Sequence, residues 1–262
     1  FGMDEMDFAG GLKGTPVDVV KCETVDIEVP ASAEWVLEGK FLPNRDVTIG
    51  PHSNPVGYYD DAQLFPLIEL DCITHRKDPI WYATMEMEPP FDHNYMACLP
   101  MEGELLSDLP SKIPEVKDVG VTPNLSYFIQ LSVDGPQKPH PEFGKHVLHA
   151  VWGASGRWGR TAKVIVVVGP DVNPYDLSEI EWAIQTRVQP ITDTIMNKSG
   201  QAFLMDPSAT KDPGHGIALQ SEQIGIDATI KVFERFSSYP EYSNAKADDV
   251  AAIAEKLKDV LK

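Results

Sequence analysis

The sequence is poor in cysteine, in basic residues and in long apolar stretches. Its three cysteines, Cys22, Cys72 and Cys98, are odd in number, widely spaced and form no C-x-x-C. That excludes a disulfide framework and a zinc knuckle, and it suits reduced thiols in a cytoplasmic protein. Lysine and arginine number 22 against 40 acidic residues, a net charge of -18 over 262 residues. Such a surface repels phosphate backbones and anionic bilayers, so nucleic acid and membrane surfaces are poor partners. An anionic substrate in a local basic pocket remains compatible with it. No apolar run exceeds five residues, as at Val164–Val168, far short of a membrane span. No basic stretch leading into an apolar one opens the chain, so no signal peptide is legible. The first residues, Phe-Gly-Met, read as a fragment, a processed product or one half of a split protein. Walker A, G-x-S-x-G, H-E-x-x-H and Rossmann signatures are all missing.

What is present is an ordinary globular composition, 42% apolar and 24% charged, long enough for one large or two modest domains. The first 90 or so residues read as β. The segments 17–30, 33–43, 64–76 and 80–87 are short apolar-rich runs joined by tight turns such as Lys77-Asp78-Pro79. Closely joined strands of this kind predict antiparallel meanders, hence a small barrel or sandwich. Pro89-Pro90 marks a boundary. Beyond it the pattern becomes α/β: a helix over 101–111, a strand over 125–134 and a helix over 145–155. A buried strand follows over 162–169, then an acid-started helix over 174–188. The tail 247–262 carries Val250, Ile253, Ala254, Leu257 and Leu261 at helical spacing and needs a partner for that stripe.

Three local patterns invite chemistry. "GASGRWG" (153–159), with Arg157, reads either as a phosphate cradle or as a helix-to-strand connection. His146 and His149 lie at i, i+3, a spacing that suits one metal but lacks a third ligand. "GMDEMDFAG" (2–10) sets Asp4, Glu5 and Asp7 before a small-residue turn, where a hard cation or plain solvent would serve.

Read as a series, "DFAGGLKGTPVDVVKCETVDIEVPASAEWVLEG", "GPHSNPVGYY", "AKVIVVVGPDVNPYDLSEIEWAIQTRVQP" and "IGIDATIK" resemble the UbiD-type decarboxylases. The resemblance runs from about Glu5 to Lys231. It implies an α+β fold: an antiparallel split β-barrel related to flavin-reductase barrels over 1–90, then a C-terminal α/β domain over 91–262 with a terminal oligomerisation helix. It implies prenylated FMN, a divalent Mn²⁺ or Mg²⁺ ion and, as an optional further ion, K⁺. The implied reaction is reversible decarboxylation or carboxylation of an aromatic, phenolic or α,β-unsaturated acid. Members form dimers or higher assemblies. The family's N-terminal domain, with much of the flavin contact, has no counterpart here, which implies a separate subunit supplying that half. By the same resemblance Glu5 holds the metal against the flavin phosphate and Arg157 contacts that phosphate. Pro55, Leu99 and Phe203 line the substrate pocket, while Trp182, Thr186 and Arg187 are structural.

The loop "TIGPHSNPVGYY" (48–59) departs from the family pattern E-G-P-[FY]-G-[DE]-x-x-G-Y. Ile49 replaces the acid that orients an arginine, and Asn54 replaces the general acid. An amide does not titrate usefully, so Asn54 cannot deliver a proton. His52 lies inside the loop, and an imidazole titrates near ~6.5. Three readings stand: His52 carries the proton, a substrate hydroxyl shares that work, or the subunit is catalytically silent beside an active partner. A fourth is a non-enzymatic assembly subunit.

Overall fold

The computed structural model describes residues 4–154, 156–211 and 218–231; the tail stripe of 247–262 lies outside them. The fold is mixed α+β, as the strand and helix pattern predicts. Its described residues form two compact units, one of 4–101, 122–126, 198–211 and 218–222, the other of 102–121, 127–197 and 223–231.

The first unit opens with α1 (Glu5–Lys13), followed by β1 (Val19–Lys21) and β2 (Glu28–Pro30), which pair antiparallel. Small residues at Ala9, Gly10 and Gly11 were expected to turn the chain, yet they lie inside α1, which stops only at Gly14 in the left-handed region (φ 74). Asp4 caps its start, accepting the Met6 N–H at 2.8 Å. Between β1 and β2, the buried Glu38 carboxylate gathers the Thr24 hydroxyl (2.6 Å) and the N–H groups of Thr24 and Glu23. The hydrogen bond from the Thr24 side chain, with those from the backbone, holds Glu38 below the usual carboxylate range.

β3 (Trp35–Ile49) then runs antiparallel to β6 (Gln63–His75) as a long two-stranded ribbon, with β4 (His52–Ser53) and β5 (Tyr59–Asp60) as a small hairpin between them. Its register sets Leu37 opposite Ile73, Gly39 opposite Leu70, Phe41 opposite Ile68 and Thr48 opposite Leu64, all on one face. The strand expected over 80–87 does not form. Side chains take its ladder groups instead: Glu34 accepts the Ile80 N–H at 3.0 Å, and the Trp35 indole donates to the Ile80 carbonyl.

α2 (Asp92–Lys112) runs straight through Pro100, where the sequence suggests a start only at Met101. Buried Cys98, Met101, Leu105 and Leu109 recur at helical spacing, and that apolar stripe outweighs the lost amide bond. In the second unit come β7 (Val116–Val121), β8 (Ser126–Leu131), a 3₁₀ turn (Gly135–Gln137), α3 (Phe143–Trp152), α4 (Arg157–Thr161), β9 (Val164–Val168) and α5 (Leu177–Arg187). The last strands are β10 (Thr194–Gln201), β11 (Thr210–Lys211) and β12 (Ala218–Ala228). The sheet order is β10-β12-β9-β8-β7, with β12 and β9 parallel. The β-branched run of β9 is buried on both faces, as expected. Val166 and Val168 meet Ile180 and Ala183 of α5, while α3 packs over the other side, with Leu148 against Gly225.

Gly144 marks where α3 must approach closely. A Cβ there would lie 2.3 Å from the Asp227 carboxyl carbon. That carboxylate is fixed by the Thr229 hydroxyl at 2.6 Å and by Lys231 at 3.4 Å, so it cannot yield. Gly144→Ala is expected to cost about 1–3 kcal/mol of overpacking strain, measured by urea unfolding of the purified chain; an unchanged midpoint would refute the close contact.

Candidate active site

The loop from Thr48 to Asp60 is organised by one buried amide. Asn54 is only 2% exposed. Its Oδ1 accepts the N–H groups of Val56 (3.2 Å) and Tyr58 (3.0 Å), and its Nδ2 donates to Asp60 Oδ1 at 3.0 Å. The backbone closes the same turn, with Asn54 N–H to the Tyr58 carbonyl at 2.9 Å and Gly57 N–H to the Asn54 carbonyl at 3.0 Å. Gly57 takes φ 86, and a Cβ on it would sit 2.8 Å from the Glu88 Cα, so neither its dihedral nor its space suits another residue. Pro55 is half-buried, its carbonyl accepting the Asn94 side chain at 3.0 Å.

The carboxylate absent from positions 49 and 54 reappears at Asp60. It stands directly across the β4–β5 hairpin from His52, with Ser53 opposite Tyr59. His52 is exposed and Asp60 half-buried, so the loop presents an imidazole and a carboxylate on paired positions of one short hairpin. Ile49, at the end of β3, is 45% exposed and offers no charge. Converting Asn54 to aspartate would remove the amide donor and set two carboxylates about as close as the present 3.0 Å pair. Asn54→Asp is therefore expected to hold one of the two carboxyls protonated above its ordinary range and to loosen the turn once both ionise. Carboxyl-carbon NMR across a pH titration reads this directly; two ordinary, independent titrations would contradict it.

The other expected site residues lie on separate elements. Glu5 is exposed in the first turn of α1; a groove of about 450 Å³ is lined by Met6, Asp7, Gly10, Gly11, Thr15 and Val17, among others, and Glu5 is not one of its lining residues. Among the described residues no group of three or more His, Cys, Asp or Glu is placed to hold a metal. Arg157 is exposed at the start of α4, its guanidinium 5.1 Å over the Trp158 ring. The amide start of that helix is taken by Glu104, which accepts the Trp158 N–H at 2.8 Å and fills the space above Gly156. A phosphate at this bend would compete with that carboxylate. Leu99 is 70% exposed on α2, and Phe203 is half-buried after β10. His146 does not meet His149: it meets His140, ring nitrogens 3.3 Å apart, while His149 lies against Trp152.

Arg187 is buried and bound to Asp171 through both terminal nitrogens, with Asp134 at 3.8 Å and the Trp182 ring 4.7 Å below. Burial raises Asp134 from an ordinary 3.8 to about 6, against the pull of its backbone hydrogen bonds and of Arg187.

Asp60, Asn94 and Glu104 escape the sequence reading. Asp60 had a legible signal, the acid pair two residues after Gly-Tyr; the other two are single residues of α2, whose partners lie far away in sequence.

A barrel-type ribbon joined to an α/β unit, with a Gly-Pro…Gly-Tyr hairpin between paired strands, is an architecture shared with known enzymes. Two family models match the chain: the 3-octaprenyl-4-hydroxybenzoate carboxy-lyase Rift-related domain over residues 1–89 and the C-terminal domain of the same carboxy-lyase over 94–228. The chain belongs to this family, UbiD. It is 33% identical over 232 residues to an uncharacterized protein of Archaeoglobus fulgidus, covering 88% of this chain and 46% of that one. It superposes on the UbiD-class enzyme HmfF from Pelotomaculum thermopropionicum in complex with FMN at TM-score 0.78 and 32% identity, covering 94% of this chain and 52% of that one. An evolved dimeric form of that enzyme, in complex with prFMN, matches at TM-score 0.69 and 33% identity, covering 95% and 52%. The vanillic acid decarboxylase of Sedimentibacter hydroxybenzoicus, in open form, matches at TM-score 0.80 and 28% identity, covering 100% and 55%. The chain therefore spans about half the length of the relatives it matches. No helix among the described residues is long and apolar enough to cross a membrane.

Proposed function

We propose that this chain is the barrel (1–90) and C-terminal (91–262) part of a prenylated-FMN-dependent carboxy-lyase. It would interconvert an aromatic, phenolic or α,β-unsaturated acid with its decarboxylated form and CO₂. The observation that carries the reading is the hairpin that sets His52 across from Asp60 on a turn built by Asn54. A decarboxylation replaces CO₂ by a proton, so the site needs a group that both gives and takes one. The FMN- and prFMN-bound HmfF structures and the vanillic acid decarboxylase support the flavin and the phenolic acid.

When bound, the prenylated flavin supplies an electrophilic ring that holds the electron pair released with CO₂. Glu5 would ligate a divalent ion, Mn²⁺ or Mg²⁺, at the flavin phosphate, and its single carboxylate fits that role only with further ligands from the half that this chain does not span. Asn54 fixes the loop and holds Asp60, and His52 with Asp60 carries the proton. Ile49, Pro55, Leu99 and Phe203 offer apolar surface to an aromatic ring. Active assemblies would be homo-oligomers that also contain the missing half.

The expected test result is a bound flavin spectrum when the chain is produced with a flavin prenyltransferase and the missing half. Glu5→Gln should lower flavin retention at least tenfold and make it insensitive to added Mn²⁺. A second reading, a catalytically silent subunit, is favoured by the wholly internal use of the Asn54 amide. It predicts no flavin absorbance in the assembled protein.

A further inference from the structure

Two histidines of the second unit meet at the start of α3, outside the candidate active site's loop. His140 Nε2 and His146 Nδ1 stand 3.3 Å apart, with 21° between the ring planes, and both side chains are exposed. A hydrogen bond between two neutral rings in water competes with water at both ends and gains little. Two protonated rings at that distance would repel. The spacing suits a shared cation better.

Zinc is tetrahedral and lies about 2.0–2.1 Å from an imidazole nitrogen, which sets two such ligands about 3.3–3.4 Å apart. Right-angled coordination at the same bond length would bring them to about 2.9 Å. The backbone that carries the pair is fixed on both sides. Lys138, two residues before His140, is buried and donates to the Thr229 hydroxyl at 3.2 Å. Gly144, two before His146, is pressed against the Asp227 carboxylate. Between them the His140 carbonyl accepts the Phe143 N–H at 3.2 Å, and the Glu142 carbonyl accepts the His146 N–H at 3.1 Å. Phe143, only 3% exposed, meets both imidazoles at nearly right angles, its centroid 5.4 Å from His140 and 6.0 Å from His146. Both rings therefore lean on one immobile surface, and little order is lost on binding.

We propose that His140 and His146 form a zinc site with two imidazole ligands, the remaining positions being left to water. Among the described residues no third His, Cys, Asp or Glu completes the set, and Glu142 is engaged by Lys145. Such open coordination describes an exchangeable site, not one that holds the fold together. The net charge of -18 favours cations near the surface. Imidazole selects zinc over Mg²⁺ and Mn²⁺, which take oxygen ligands, so this ion differs in kind from the one proposed at the flavin phosphate.

The experiment needs neither flavin nor the missing half. The untagged full chain, stripped with chelator, is titrated with Zn²⁺ by calorimetry and by imidazole nitrogen NMR. One zinc per chain should bind at the pair, shifting His140 Nε2 and His146 Nδ1 together, and Mg²⁺ should move neither. His140→Ala and His146→Ala should each weaken that binding at least tenfold, with an unchanged urea midpoint because both positions are exposed. His149→Ala, whose ring lies against Trp152 instead, and His52→Ala should leave it intact. The proposal is overturned if no zinc binds, since the pair is then a plain imidazole hydrogen bond. It is equally overturned if only one of the two nitrogens responds, or if either alanine variant of the pair binds zinc as tightly as wild type.

Discussion

Replacing Arg187 by methionine is expected to destabilise the second unit by about 3–5 kcal/mol, the usual cost of leaving a buried partner uncompensated. The guanidinium is only 2% exposed and answers Asp171 through two hydrogen bonds and Asp134 at 3.8 Å. Methionine fills the space above Trp182 but leaves Asp134 with its backbone donors from Gly135 and Ile230 and the charge of Lys138. The pH dependence separates this from simple loss of packing. Asp134 has its folded pKa raised, so the folded state holds a proton that the unfolded chain releases. Its ionisation lowers stability as pH rises from about 3.8 to about 6, by at most about 1.4 kcal/mol per pH unit. Without Arg187 that window extends upward. Asp134→Asn keeps an oxygen for the same two N–H groups and should flatten the slope, and in the double variant it should recover part of the loss. Urea unfolding followed by tryptophan fluorescence between pH 4.5 and 8 measures all of this. A loss in Arg187→Met with no change in pH slope would assign the residue to packing only.

The second large effect concerns the proton. If Asp60 and His52 carry it, Asp60→Asn should slow hydrogen–deuterium exchange into product by roughly 10²–10⁴-fold, the range for a positioned acid or base. The amide can still accept from Asn54 through its own oxygen, so the turn survives the change. Asp60→Glu should recover part of the rate, and His52→Ala should lower it with an altered pH profile. Measured in the assembled, flavin-loaded enzyme, equal exchange in wild type and Asp60→Asn would remove the carboxylate from the reaction. Equal exchange in His52→Ala would remove the imidazole.

Much of the fold was legible because strong local signals agreed with tertiary need. The β-branched run at Val164–Val168 had to be a doubly buried strand, and Asp176, accepting from the N–H groups of Ser178 and Glu179, had to start α5. The reading failed where side chains from elsewhere replaced the local rule. Residues 80–87 look like a strand until Glu34 and Trp35 take the polar groups of Ile80, and Pro100 looks like a helix boundary until the α2 stripe is buried. At the candidate site, the sequence exposed the loss of acids at Ile49 and Asn54. It could not show that Asn54 is turned inward to hold Asp60, since that depends on the hairpin register. Nor could it show that Glu104, far away in sequence, occupies the start of α4.

Glu38 and Asp134 give the chain two acid responses of opposite sign. Glu38 has its folded pKa lowered, so its contribution is present above the ordinary carboxylate range and vanishes on acidification. Asp134 gains over its own interval as acid is added. One sits in the ribbon unit and the other in the sheet unit. As pH falls from about 6 towards 3.8 the sheet unit therefore tightens first, and the ribbon unit loses its Glu38 contribution only in stronger acid, below the ordinary carboxylate range.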